Sequence, residues 1–401
     1  MQRSIRLLQN RFVSAILLSN LLSQIGIWIR NLAILLYVME TTGGNVFAVT
    51  MISVAEYVPM FIFAFIGGAF ADRWRPKRTI VCCEVLSALS VFAVLALVER
   101  GAWPAIFVAT LCSSIVSQFA QPSGMKLFKL HVRDEDAPTC MALLQTLISV
   151  FMVAGPPLGT LAYRQWGIVP ALWMTGAAFV LSALVLLRLP SDRVQAEEPR
   201  AALLRDMADG IRYVLRVKEL LKLNVCFALA GLGVGLITPL TVFVATERLG
   251  LSPLHLPWLA VPYGAGEIIG GLAAFMLAAK VSPRRLLLAG LFVNGAGIVL
   301  TGLSAGLWLT MAAQFMLALF QPAIFIGNQA LVMKHAGEAY IGRVTGIRTP
   351  LMTGSMLLAM SLSGVLKQSL SLPVAYGLAG LCFWAGMIAV PAESHSAKYG
   401  T

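Results

Sequence analysis

Apolar runs long enough to span a lipid bilayer recur along almost the whole chain, and no feature constrains the fold more. A membrane helix needs about 20 consecutive apolar residues. Such stretches lie at about 12–38, 46–70, 79–98, 103–124, 138–163 and 168–188, and again at about 221–245, 255–279, 286–304, 307–333, 343–366 and 372–390. Of the 401 residues, 58% are hydrophobic and 12% charged, about half the charged share of a soluble domain. A water-soluble fold could not cover that much apolar surface. The pattern predicts an all-α membrane protein of twelve transmembrane helices. A soluble enzyme, a fibrous chain and a disulfide scaffold are excluded.

The basic residues predict the orientation. An even number of spans puts both termini on one side, and 24 of the 30 Lys and Arg fall in the segments on the terminal side. Four fall in the opposite loops, and Arg30 and Arg348 lie within spans. The positive-inside rule makes the rich side cytoplasmic. The expectation is a multi-pass protein of the cytoplasmic membrane with both termini cytoplasmic and an uncleaved first span. The net charge of +12 is spread over short loops facing anionic lipid. No basic face is interleaved with stacking aromatics, so nucleic acid is not an expected partner.

The one long polar stretch, about 189–220, divides the spans into six and six. It opens with Ser191-Asp192-Arg193 and Glu197-Glu198-Pro199. Leu204, Met207, Ile211 and Val214 then follow at helical spacing, the mark of an amphipathic helix at the membrane surface. The expected organisation is an N-terminal bundle over 1–190, a linker over 191–220 and a C-terminal bundle over 221–401. The halves repeat. Gln121-Pro122 recurs as Gln321-Pro322, and Pro76-Lys77-Arg78 as Pro283-Arg284-Arg285, at equivalent spans.

The loop after the second span reads Gly67-Gly68-Ala69-Phe70-Ala71-Asp72-Arg73-Trp74-Arg75-Pro76-Lys77-Arg78. It resembles the G-x-x-x-D-R-x-G-R-K/R signature of the major facilitator superfamily, with Arg75 in place of the second glycine. Ser19-Asn20, Gly26, Trp28 and Thr41-Thr42-Gly43-Gly44 are similar to the first span of the twelve-span bacterial branch of drug and siderophore exporters. The resemblance implies two pseudo-symmetric six-helix bundles. It also implies a conformational latch of Gly68, Asp72, Arg73, Lys77, Arg78, Glu84 and Arg343, in which Asp72 meets the start of the eleventh span. Glu84, five residues into the third span, is expected to pair with Arg73 or Arg78. In the fifth span Gly155-Pro156-Pro157-Leu158-Gly159 partly resembles an antiporter motif. Its small-residue face is expected against Gly264, Ala265, Gly266, Gly270 and Gly271 of the eighth span, or in ordinary helix packing around a proline kink.

Charges inside a bilayer are costly and mark function. Arg30 and Glu56 fall at similar depths in adjacent antiparallel spans, where they can pair. Glu267 lies nearest the midplane with no opposite charge at its depth, so it takes up a proton readily. These three are the proton-coupling candidates. Gln118, Gln121, Gln145, Asn224, Asn294, Gln314, Gln321 and Asn328 are the candidate substrate-cavity side chains. Each alone is more often a helix-to-helix hydrogen bond. Arg348 is expected to serve packing or lipid contact. So sparse a lining suits a bulky amphipathic or cationic substrate better than a sugar.

The six cysteines lie in or beside apolar runs without a C-x-x-C pair, and the four histidines are scattered. No metal site, cofactor or catalytic cluster is expected. The expected function is secondary active transport: proton-coupled antiport that exports lipophilic or amphipathic small molecules by alternating access. The alternative is a lipid or lysophospholipid flippase of the same fold. The expected partners are a small-molecule substrate, protons and membrane lipids, and the expected state is a monomer.

Overall fold

The computed structural model describes residues 10–73, 75–98, 104–132, 136–189, 203–278, 280–337 and 340–392. Within these, the side chains of 64–73, 97, 105, 109, 121, 122, 124–126, 128–131, 137, 138 and 203–207 lie outside the description. Among the described residues there is helix and no strand. This is what a bilayer demands, because a helix satisfies its backbone groups within itself.

Six helices come first: α1 (Arg11–Thr41), α2 (Val46–Arg73), α3 (Pro76–Val98), α4 (Ala105–His131), α5 (Ala137–Trp166) and α6 (Ile168–Leu187). The short helix α7 (Leu203–Arg216) follows. Six more complete the chain: α8 (Lys218–Ile237), α9 (Pro257–Ala278), α10 (Pro283–Leu303), α11 (Leu307–His335), α12 (Ile341–Ser369) and α13 (Leu372–Ile388). The α8 helix runs on through a 3-10 turn, Thr238–Leu240, and a π turn, Val244–Arg248. Among the described residues, ten helices are long and apolar enough to cross a membrane. Ile106–Ala120 and Leu372–Ile388 carry shorter apolar stretches.

Turn chemistry explains where α1 stops. Gly43 and Gly44 both take positive φ, +61° and +78°, which residues bearing a Cβ avoid. Asn45 then caps α2, its Oδ1 accepting from the amides of Phe47 and Ala48 at 2.9 and 3.3 Å.

The chain divides into two compact units, Met1–Ala201 with Leu251–Val261, and Ala202–Gly250 with Pro262–Thr401. In the first, a buried cluster of Ile34, Val38, Ile52, Val91, Leu95, Ile106, Leu172 and Phe179 joins α1, α2, α3, α4 and α6. A second cluster of Val13, Ile16, Ile80, Leu127, Leu186 and Leu189 closes the end that holds the α2–α3 turn. In the second unit, Leu220, Leu223, Leu287, Leu291, Val332, Tyr376 and Phe383 are buried. The outward surface is apolar too: Phe275, Met276, Trp308 and Leu358 are each more than 60% exposed. That surface suits lipid, not water.

Small residues set the closest helix contacts, as expected where lipid is the solvent. In the first unit a Cβ placed on Gly155 would overlap the Trp28 ring. One placed on Gly159 would lie 2.6 Å from the Trp28 carbonyl oxygen and 2.8 Å from Leu32 Cβ. In the second unit Gly266 and Gly270 sit against the carbonyls of Phe315 and Leu319 on α11. These four glycines are thus packed within their own units.

The linker helix belongs to the second unit. Gly210 lets α7 approach α12, where a Cβ would meet Ile347 Cδ1 at 2.8 Å and Arg343 Cβ at 3.1 Å. Tyr213 stacks on Tyr340 with centroids 4.1 Å apart, and its hydroxyl accepts from the Gly337 amide at 3.0 Å.

Candidate transport site

Arg30, buried on α1, donates from Nη1 to Ser113 Oγ on α4. Its Nε and Nη2 both donate to Asn31 Oδ1, at 3.1 and 3.0 Å. The amide of Asn31 continues the chain, Nδ2 donating to Glu56 Oε1 at 3.1 Å. Ser114 Oγ donates to the Glu56 carbonyl at 2.5 Å. The two charges predicted to meet are therefore brought together through an amide. Asn31 was missed because an asparagine in an apolar run reads as one polar residue among many. Its place beside Arg30 was the available signal.

Glu84 meets a hydroxyl that the sequence did not point to. Its Oε1 accepts from Ser23 Oγ at 2.7 Å, and Glu84 is buried while Arg78 is exposed. Six residues along a helix turn through about 600°, which places Arg78 and Glu84 on different faces. Of the other expected latch residues, Lys77 donates to the carbonyls of Leu187 and Leu189, where a cation meets the C-terminal end of the α6 dipole. Arg343 lies with its guanidinium carbon 5.4 Å from the Tyr340 ring centre. Gly68, Asp72 and Arg73 fall in α2, and their side chains lie outside the described residues.

In the second unit, Glu267 Oε2 on α9 is buried with no hydrogen-bond partner. One turn earlier, Tyr263 donates to Gln321 Oε1 at 2.7 Å. Most of the predicted cavity side chains are otherwise engaged. Asn224 and Asn294 donate back to the carbonyls of Leu220 and Gly290, four residues earlier, at 2.8 and 2.9 Å. Asn328 donates to the Leu223 carbonyl at 3.1 Å, and Gln314 is buried. Gln118 contacts Ser117, Gln145 is exposed, and the Gln121 side chain lies outside the described residues. Asn224 and Asn294 thus bond within their own helices, while Asn328 ties α11 to α8.

A cavity of about 640 Å³ does open within this unit, between α8, α11 and α12. Phe227, Phe325, Ile326, Met333 and Met352 give it an apolar wall; Gln329, Thr345, Thr349 and Arg348 supply the polar groups. The Arg348 guanidinium donates to Asn328 Oδ1 at 2.6 Å and to Gln329 Oε1, and lies 4.5 Å from the Phe227 ring centre. Two amides and an aromatic face thus hold the cation in place. Arg348, expected to pack or meet lipid, is a cavity residue.

Among the described residues all six cysteines are free, and no group of His, Cys, Asp and Glu could hold a metal.

Comparison with known proteins places this architecture. The sequence profile of the Major Facilitator Superfamily matches residues 16–278 and 223–398. The chain is 25% identical over 374 residues to an MFS-type transporter of Bacillus subtilis, YkuC, covering 89% of this chain and 86% of that one. It is 23% identical over 346 residues to macrolide efflux protein A of Streptococcus pyogenes, covering 84% of each. It is 23% identical over 340 residues to the multidrug efflux pump Tap of Mycolicibacterium fortuitum, covering 82% and 83%. Among solved structures, a nucleoside transporter, NupG, superposes with a TM-score of 0.80 at 13% identity, covering 95% of this chain and all of that one. A bacterial homologue of the iron transporter ferroportin gives a TM-score of 0.75 at 14% identity, covering 95% and 98%. These matches define a multi-pass membrane transporter and not an enzyme. The chain belongs to the major facilitator superfamily.

Proposed function

We propose that this transporter is a proton-driven antiporter that exports lipophilic or amphipathic small molecules, its twelve spans working by alternating access of two helical bundles. The observation that carries the reading is the cavity: about 640 Å³ with mostly apolar walls, few hydrogen-bonding groups and one cation already shared between two amides. Such a wall binds bulky apolar groups by burial and offers too few partners for a sugar. The relatives named for macrolide and multidrug efflux, each matched over more than four-fifths of its length, support the same direction of transport. The basic residues support a cytoplasmic membrane location with both termini cytoplasmic.

The coupling group in this reading is Glu267. Its Oε2 is buried on α9 with no hydrogen-bond partner, and a carboxyl within a span is a functional candidate. Arg30 and Glu56, bridged by Asn31, already neutralise one another and hold α1 to α2. The test uses proteoliposomes with an imposed pH gradient and three substrates: an apolar dye, a macrolide and a lysophospholipid. Wild type accumulates the first two. Glu267→Gln still binds the dye but loses gradient-driven accumulation. Unchanged accumulation by Glu267→Gln overturns the coupling role, and movement of the lysophospholipid alone would make the protein a lipid transporter.

A further inference from the structure

The cavity of the second unit holds a positive charge with no negative partner among the described residues. Arg348 is 6% exposed, so its guanidinium is withdrawn from bulk water. A guanidinium carries five N–H donors. One is spent on Asn328 Oδ1 at 2.6 Å and one on Gln329 Oε1, while Nε is buried with no hydrogen-bond partner. Both acceptors are neutral amides, and the Phe227 face is neutral too. They soften the charge without balancing it. The carboxylates of Asp209 and Glu247, in the same unit, pair with Arg212 and Lys367 instead.

A second donor stands near it. Thr345, about one turn earlier on α12, also lines the cavity, and its Oγ1 is buried with no hydrogen-bond partner. Thr353 on the same helix shows the usual solution, its hydroxyl donating to the Thr349 carbonyl four residues back at 2.9 Å. Thr345 does not take it. A buried donor without an acceptor is destabilising, and an incoming acceptor relieves that cost. The remaining wall, with Phe227, Phe325, Met333 and Met352, is apolar. The complement of such a site is a negatively charged, acceptor-rich head on an apolar body. One guanidinium balances one charge. A second negative charge would be buried unpaired at high cost, and a cationic head would meet a like charge at short range.

We propose that this cavity selects amphipathic monoanions, with the acid head on the Arg348 guanidinium beside the Thr345 hydroxyl and the apolar body against the aromatic and methionine wall. The inference deepens the transport reading and rests on the cavity being the substrate site. It ranks three heads on one body: the carboxylate binds most tightly, the neutral amide less so and the ammonium least. Soluble aromatic acids and long-chain acids dissolved in the membrane share the required head, and the test separates these two sources.

Fluorescence titration of the full chain in phosphatidylcholine nanodiscs tests the ranking at neutral pH, with empty nanodiscs correcting for partition into lipid. The probes are dansyl-phenylalanine and dansyl-undecanoic acid, each as the free acid, the primary amide and the corresponding amine. In at least one family wild type should bind the acid about tenfold more tightly than the amide, with the amine weakest. The family that shows this lead identifies the source as water or lipid. Arg348→Gln should abolish the lead. Thr345→Val, which keeps the side-chain volume, should narrow it several-fold with thermal unfolding near wild type. The proposal is overturned if acid and amide bind alike in both families, if the amine binds most tightly, or if the lead survives Arg348→Gln. Should Arg348→Gln fail to fold, an undiminished lead in Thr345→Val overturns it. Loss of gradient-driven accumulation with the acid's lead intact would sink the transport reading alone, and accumulation of a neutral dye without that lead would sink only this inference.

Discussion

Trp28 on α1 packs its ring against Gly155 on α5, at a separation that leaves no space for a Cβ. Its own carbonyl faces Gly159 one turn further on. Replacing Gly155 by Val forces the indole to move, and overpacking of this kind costs about 1–3 kcal/mol. The variant should melt several degrees lower in nanodiscs, and Trp28→Ala should recover part of the loss in the double variant. Additive losses in that cycle would mean the two residues do not bear on each other.

The Arg30–Asn31–Glu56 chain gives a second prediction. Asn31→Leu keeps the volume but removes the amide that serves both charges. Losing a hydrogen-bond partner from a buried charged group costs about 1–3 kcal/mol or more. Thermal unfolding should show Asn31→Leu to be more destabilised than Glu56→Gln, and adding Glu56→Gln to Asn31→Leu should cost little further. Wild-type stability in Asn31→Leu would count against the amide bridge.

At the cavity wall, Arg348→Lys preserves charge and loses the planar fork that meets Asn328, Gln329 and the Phe227 face together. Fluorescence titration of an apolar dye into nanodiscs should show binding weakened by about tenfold, the equivalent of about 1.4 kcal/mol. Phe227→Ala should weaken it similarly through lost apolar contact. An Arg348→Lys variant that binds as tightly as wild type would remove Arg348 from the site.

The docking of the linker helix is also open to test. Gly210→Val cannot keep the approach to Ile347 and Arg343, and Tyr213→Ala removes the stack on Tyr340. Limited proteolysis should cut between α6 and α8 several-fold faster in either variant. A single Tyr213→Phe change, which retains the ring, should have a much smaller effect.

Much of this was legible beforehand. Apolar runs of membrane length marked the helices. The helical spacing of Leu204, Met207, Ile211 and Val214 predicted α7, as an amphipathic helix at a membrane surface requires. The site was harder to read. Asn224 and Asn294 looked like cavity residues because sequence shows depth but not rotation about the helix axis, and both turn inward to their own backbone. Arg348 was read as peripheral for the same reason. Its partners Asn328 and Gln329 lie on another helix, and only folding brings that helix beside Phe227. The hydroxyls around Glu84 were not foreseen, because only Arg73 and Arg78 stand near it in sequence. The serines that meet it lie on α1 and α6, far along the chain, at the range where helix packing rather than periodicity decides contacts.

The docked α7 carries a mechanical implication. Gly210 rests on Ile347, and the next residue, Arg348, braces the wall of the cavity. A displacement of α7 therefore bears directly on the start of α12. The linker helix is thus a handle on the second unit, gripping it a single residue from the cavity wall.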